Sequence, residues 1–281
     1  MTVHLPGAAP MTAALSRTTP LRIVPVELFV ARRPQRMVER SLLVMRRSPM
    51  IFVSGFFEPL FYLLSIRVGL AELIGDVEYN GQLVAYDAFV APALMAASAM
   101  NGAIFDSTMN VFHKIKHSKL YDAVLTTPMS TADVAVGEIS WAMLRGAAYS
   151  IAFLATMWLL GLTSSPWVIM SVPICVLIGF AFAALGMAAT SYARSWADFE
   201  YLPAIQIPLF LFSATFYPLS TYGSWGWVVQ LSPLYHGVAL VRMSSFGEWE
   251  WAAFVHVAVL LALAVLGIVA SSRRLHRLLL T

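Results

Sequence analysis

The sequence predicts an all-α integral membrane fold: six transmembrane helices, an N-terminal amphipathic interfacial helix, a helical cytoplasmic loop and an outer re-entrant helical hairpin. Three observations predict it. Of 281 residues, 59% are hydrophobic and 12% charged, whereas a soluble domain is about half apolar and about a quarter charged. Too little polar surface remains to coat a water-soluble globule. The apolar residues fall in long runs, and two of these, 167–189 and 252–270, are nearly free of ionisable groups. Lysine and arginine gather in alternate connections between the runs, as expected when basic flanks stay on the cytoplasmic side.

The first segment, residues 1–35, reads as a flexible cytoplasmic tail. Its start is rich in Ala, Thr and Pro and lacks the apolar core of a signal peptide. The rest, 36–281, reads as a single transmembrane domain. Arg36, Arg40 and Arg47 lie on one face of a helix over 36–47, with Val38, Leu42 and Met45 on the other. That pattern suits the headgroup layer, and Pro34 and Pro49 bound it.

Unpaired backbone is excluded from lipid, so each long apolar run is expected to be helical. The expected spans are 51–70, 83–105, 134–161, 167–192, 201–217 and 252–270. About twenty residues cover the hydrocarbon core, and only the fifth run, with Pro203 and Pro208, falls short of comfortable length. Basic residues precede the first span, then recur as Lys114, Lys116 and Lys119, as Arg194, and as Arg273, Arg274 and Arg277. All fall on one side if the span count is even and both termini are cytoplasmic. Between the fifth and sixth runs, 218–251 is aromatic and broken by Pro218, Gly223, Gly226, Pro233 and Gly237. It is too interrupted to span and too apolar for a solvated loop, so it is expected to re-enter from the outer side. Arg242 within it is read as a lone basic residue of the outer loop.

Five charges lie within the expected spans: Glu58, Arg67, Asp87, Glu138 and Arg145. A charge at the bilayer centre costs roughly 2.5–3.5 kcal/mol, so these should pair or face a polar cavity. By depth, Glu58 is expected to meet Arg145, and Arg67 to meet Asp87. Glu138 lies near the cytoplasmic end, where it should reach the interface. The structural reading is a set of neutralising ties; the functional one is a polar path lined by Glu58 and Arg145.

There is no phosphate-binding G-x-x-x-x-G-K-[ST] loop, no H-E-x-x-H and no G-x-S-x-G in the chain. His113 and His117 stand at i, i+4 spacing but are surrounded by lysines, and no metal site is assigned to them. Cys175 is the single cysteine, which excludes an intrachain disulfide. No catalytic residue, resident cofactor or nucleic-acid partner is expected. The segment Met109–Thr131 is mixed polar and apolar, with Phe112, Ile115 and Lys119 on one helical face, and is expected to form a short helix able to dock on a soluble partner.

The chain resembles the type-2 permeases of ATP-binding-cassette exporters. It is most similar to the branch of nodulation-factor and lipooligosaccharide exporter permeases. The resemblance rests on Phe57-Glu58-Pro59-Leu60-Phe61-Tyr62-Leu63-Leu64, on Tyr121 with Leu125 and Thr127-Pro128-Met129-Ser130, and on Gly137-Glu138 with Trp141-Ala142 and Arg145. It continues in Phe210-Leu211-Phe212-Ser213, Phe216-Tyr217-Pro218-Leu219-Ser220 and Leu231-Ser232-Pro233-Leu234-Tyr235-His236-Gly237. These pieces run in order from about Arg40 to the C-terminus.

The resemblance implies a permease subunit of the bacterial cytoplasmic (inner) membrane that pairs with a second permease, as a homodimer, and with two copies of a separate ATPase. ATP and Mg would bind on that partner. Lys116, Leu120, Tyr121, Asp122, Leu125, Thr127 and Pro128 would form or support a cytoplasmic coupling helix. The helix over 36–47 would be the interfacial connecting helix, and Glu58, Glu138 and Arg145 polar features of the spans. The substrate would be a lipid or other amphiphile, such as a glycolipid, lipooligosaccharide or hydrophobic drug, moved outward. The competing expectations are a membrane enzyme acting on lipid-linked substrates and a non-transporting sensor or scaffold.

Overall fold

The computed structural model describes residues 33–47, 50, 57, 60–116, 118, 120–129, 131–193 and 195–279. Arg33–Thr281 form one structural unit. Residues 1–32 of the expected tail and Glu58 lie outside the described residues, whereas residues 33–35, also expected in the tail, already belong to the first helix.

Helix α1 (Arg33–Arg47) has the predicted amphipathic character. Met37 is buried while Leu43 and Val44 are exposed, and α1 packs along α6, the helix Thr131–Leu159. Residues 60–65 are helical and run into a π-helical turn, Ile66–Leu70, and a last α turn, α2 (Ala71–Ile74).

An antiparallel hairpin follows: β1 (Asp76–Tyr79) pairs with β2 (Gln82–Ala85). The fold is therefore not purely α, and the second span begins at Tyr86 rather than at residue 83. The cause is local. Asn80 and Gly81 both take positive φ, 49° and 76°, the backbone of a two-residue hairpin turn whose twist matches the flanking strands.

Helix α3 (Tyr86–Phe105) does not stop at its expected end. A π turn, Asp106–Asn110, joins it to α4 (Val111–Lys116), giving helical backbone through Tyr86–Lys116. The start of the expected loop, through Lys116, thus continues the second helical run. No proline or glycine lies between Phe105 and Lys116 to break it. The remaining connection holds α5 (Leu120–Leu125).

After α6, Gly161 takes φ 70° at the turn. A 3₁₀ turn, Pro166–Met170, opens α7 (Ser171–Tyr192). The fifth run is shorter than expected: α8 (Tyr201–Leu211) has 11 residues, about 16 Å of rise. It ends ahead of Ala214, which takes φ 54°. The outer segment holds a 3₁₀ stretch, Leu219–Trp225, then α9 (Gly226–Gln230) and α10 (Pro233–Phe246). Helix α11 (Ala252–Leu279) completes the order.

Among the described residues, four helical segments are long and apolar enough to cross a membrane: Tyr86–Lys116, Val136–Leu159, Pro166–Tyr192 and Ala252–Ser271. Helix α7 is central and packs against α3, α6, α10 and α11. It meets α11 at close range, where a Cβ on Gly267 would lie 2.7 Å from Leu185 N and 2.8 Å from Ala184 Cβ. Small residues at such a crossing let two backbones meet, which matters in lipid because apolar burial gives helices little reason to associate there. Helix α10 is largely buried against α3, α7 and α11. His236 Nδ1 and His256 Nδ1, 2.7 Å apart, link it to α11, one ring donating to the other.

Candidate functional site

Two adjoining polar regions lie within this apolar bundle. The first is at the end of the long second helix. Glu138, one of the first residues of α6 to be enclosed, is 7% exposed. Lys114 Nζ, from α4, donates to its Oε2 at 2.6 Å. A buried carboxylate needs such a partner, because removing it from water costs several kcal/mol. The Tyr121 hydroxyl, from α5, is buried beside the same carboxylate. Burial first, and the neighbouring Glu138 charge second, push the Tyr121 phenol above its usual range, while Arg40 of α1 opposes this. Lys114, Tyr121, Glu138 and Arg40 therefore bring four helices to one point.

The other residues expected around α5 are placed as follows. Lys116 is exposed at the end of α4 and Leu120 is half-buried at the start of α5. Asp122 and Leu125 lie on α5, and exposed Thr127 and Pro128 follow it. The Thr127 hydroxyl donates to the Val124 carbonyl at 2.6 Å and closes the C-terminus of α5. Phe112 does not share an open face with Ile115. It is buried edge-on against Trp196 and Phe199, with ring centroids 5.2 and 5.0 Å away. The short turn Trp196–Phe199 is held by a capping box in which the Ser195 N–H donates to Asp198 at 3.0 Å.

The second region lies deeper. Arg145 of α6 forms an ion pair with Asp106, the first residue of the π turn. Its expected partner, Glu58, lies outside the described residues; the residue found on Arg145 is one that the sequence analysis did not count as intramembrane. Asp106 follows the expected end of the span by one position, and the unbroken helical pattern beyond it was the available signal. Arg145 also stands 6.0 Å from the centre of the Tyr149 ring.

Arg145 borders a cavity of about 760 Å³ between α3 and α8, with Tyr62, Asn101, Phe105, Tyr149, Gln206 and Phe210 on its walls. Gln206 Nε2 donates to Asn101 Oδ1 across it at 3.4 Å. A smaller enclosed space of about 30 Å³ lies on the other side of Arg145, between α3, α6 and α7. At the opposite end, Arg67 Nε lies 3.9 Å from Asp87 Oδ2, and its guanidinium donates to the Leu160 carbonyl at 2.7 Å.

A further buried cation was missed by treating Arg242 as a loop residue. It is 4% exposed on α10. Its guanidinium donates to the Ala214 carbonyl at 3.0 Å and to the Phe89 carbonyl at 3.3 Å, and lies 3.8 Å from the centre of the Phe89 ring. It ties α10 to α3 and to the break after α8. Aromatic and carbonyl groups together satisfy a guanidinium that would otherwise be costly to bury.

The arrangement offers buried ion pairs, a cavity and a helical junction at one end. Among the described residues no group of three His, Cys, Asp or Glu side chains is placed to hold a metal ion. The curated relatives include Nodulation protein J of Rhizobium leguminosarum bv. viciae, 28% identical over 243 residues, covering 85% of this chain and 92% of the relative. Nodulation protein J of Rhizobium leguminosarum bv. trifolii is 29% identical over 225 residues, 79% of this chain and 84% of the relative. That of Rhizobium meliloti is 27% identical over 222 residues, 78% and 83%. The family model described as ABC-2 type transporter matches residues 35–246, which takes in α1, the junction, the cavity and α10, and the chain belongs to that family.

Proposed function

We propose that this multi-pass membrane permease is the transmembrane subunit of an exporter that moves an amphiphile outward, driven by a separate ATP-binding-cassette ATPase. One observation carries the proposal: Lys114, Tyr121 and Glu138 join the cytoplasmic connection to a long transmembrane helix through a buried polar contact. A push on α5 would reach α6 through that contact. Helix α6 in turn carries Arg145, at the wall of the intramembrane cavity.

In this reading Lys116, Leu120, Tyr121, Asp122, Leu125, Thr127 and Pro128 present the coupling surface to the ATPase, which binds the ATP and Mg. Six spans, with both termini cytoplasmic in the inner membrane, put every basic connection on the ATPase side. The first and fifth spans are then completed by residues 51–70 and by α8 with the segment after it. Two permeases and two ATPases make the working assembly, and the cavity accepts a glycolipid, lipooligosaccharide or hydrophobic drug.

The test is reconstitution of the full chain with its co-purified ATPase. The permease should stimulate ATP hydrolysis. Replacing Tyr121, Asp122 and Leu125 together with Ala should abolish that stimulation while membrane insertion persists. Stimulation unchanged by the triple replacement would move the coupling surface elsewhere. Turnover of a lipid-linked substrate by the permease alone would make it an enzyme.

A further inference from the structure

We infer that Asn101 and Gln206 form a carboxamide clasp that selects an uncharged, hydroxyl- or amide-bearing head group in the α3–α8 cavity; this rests on the transport reading above. Helix α8 stands across a cavity of about 760 Å³ from α3, and the Gln206–Asn101 hydrogen bond crosses that space. At 3.4 Å the bond is at the long end of the range and is easily parted.

The chemistry of the two side chains decides what can part it. Each carboxamide carries two N–H donors and an acceptor oxygen. Their mutual bond uses one donor and one acceptor. Asn101 is exposed and Gln206 half-buried, and both line the cavity, so their remaining donors and acceptors are open to a ligand there. Apolar walls such as Leu202, Ile207 and Phe210 leave those groups short of partners. A hydroxyl both donates and accepts, so it can enter between the amides and replace one long bond with two.

Charge points the same way. The guanidinium on the cavity wall, Arg145, is already neutralised by Asp106. A phosphate or carboxylate head group accepts hydrogen bonds but cannot donate to the amide oxygens, and it finds no uncommitted cation in that pair. An uncharged polar head with an apolar tail matches both the clasp and its walls.

The full-length protein in phosphatidylcholine nanodiscs provides the test, with fluorescently labelled glucosylceramide as the neutral probe and a labelled long-chain alkyl sulfate, which accepts hydrogen bonds but cannot donate, as the anionic one. Wild type should bind glucosylceramide more tightly. Asn101→Leu and Gln206→Leu should each weaken that binding on the order of tenfold, the loss expected for one neutral hydrogen-bonded contact, and leave alkyl sulfate binding within about twofold. Their combination should cost little more than either alone, because the clasp works as a unit. Asn101→Gln and Gln206→Asn should retain the preference.

Equal losses for both probes, no loss, or a wild type that binds neither probe or favours the anionic one would overturn the inference. So would a disulfide between two copies carrying Asn101→Cys, since a second copy would then occupy the cavity. ATPase stimulation measured in the same nanodiscs separates the two proposals. Stimulation without head-group selectivity sinks the clasp alone; selectivity without stimulation sinks the transport reading alone.

Discussion

Glu138 lies seven positions into α6, about 10 Å along the helix, yet is 7% exposed because Lys114 and Tyr121 close over it. Removing one partner leaves the other charge enclosed. Lys114→Met or Glu138→Gln should therefore lower stability by about 3 kcal/mol, read as a fall in thermal midpoint, and Lys114→Met with Glu138→Leu should recover part of the loss. Tyr121 adds a pH dependence. Its folded value is raised above the ordinary 10.0, so the fold favours the neutral phenol. Its contribution is complete below that ordinary value and is lost as pH rises through the folded one. Tyr121→Phe should lack this loss, which a comparison of midpoints at about pH 8 and about pH 11 checks. The sequence named Glu138, Arg145, Arg67 and Asp87 because a charge in an apolar run is conspicuous. It did not name Lys114 or Asp106 as their partners, because the helix ran past the point where the hydropathy fell. Depth along separate runs orders charges vertically but says nothing about which helices are neighbours.

At the scale of elements, the apolar runs were legible wherever the backbone stayed helical over the whole run, as in α6, α7 and α11. Two departures have local causes. The Asn80-Gly81 turn makes a hairpin of a segment whose composition reads as a span approach, and Arg242 with Ala214 fixes an early end to α8. The hairpin signal was present in the two-residue turn itself; the anchoring of α8 depends on a residue 28 positions away in sequence. The α7–α11 contact tests how far packing, rather than insertion, holds the bundle. Gly267→Leu would drive a side chain into Ala184 and Leu185. A loss of about 1–3 kcal/mol is expected, seen as a lower thermal midpoint in detergent, with membrane insertion unchanged.

For the whole molecule, sidedness is the property most directly open to measurement. With Cys175 buried, single cysteines placed at Lys116 and at Trp251 should react from opposite faces of sealed vesicles. Labelling of both from one face would rule out the proposed topology. Composition and basic flanks made the membrane class legible from the start, whereas the junction and the cavity arise only when distant helices are brought together. Two of the ion pairs described above share a further property: one member of each, Arg67 or Asp106, sits in a π turn. A π turn closes its hydrogen bonds one residue later than an α turn, so it accommodates an extra residue without rotating the helix on either side. Each of these turns can therefore be seen as a one-residue insertion retained within a helix. A relative without the insertion at 106–110 would align with a single gap there, keep Phe112 and Lys114 in phase with their partners, and differ in how it presents its acidic group to α6.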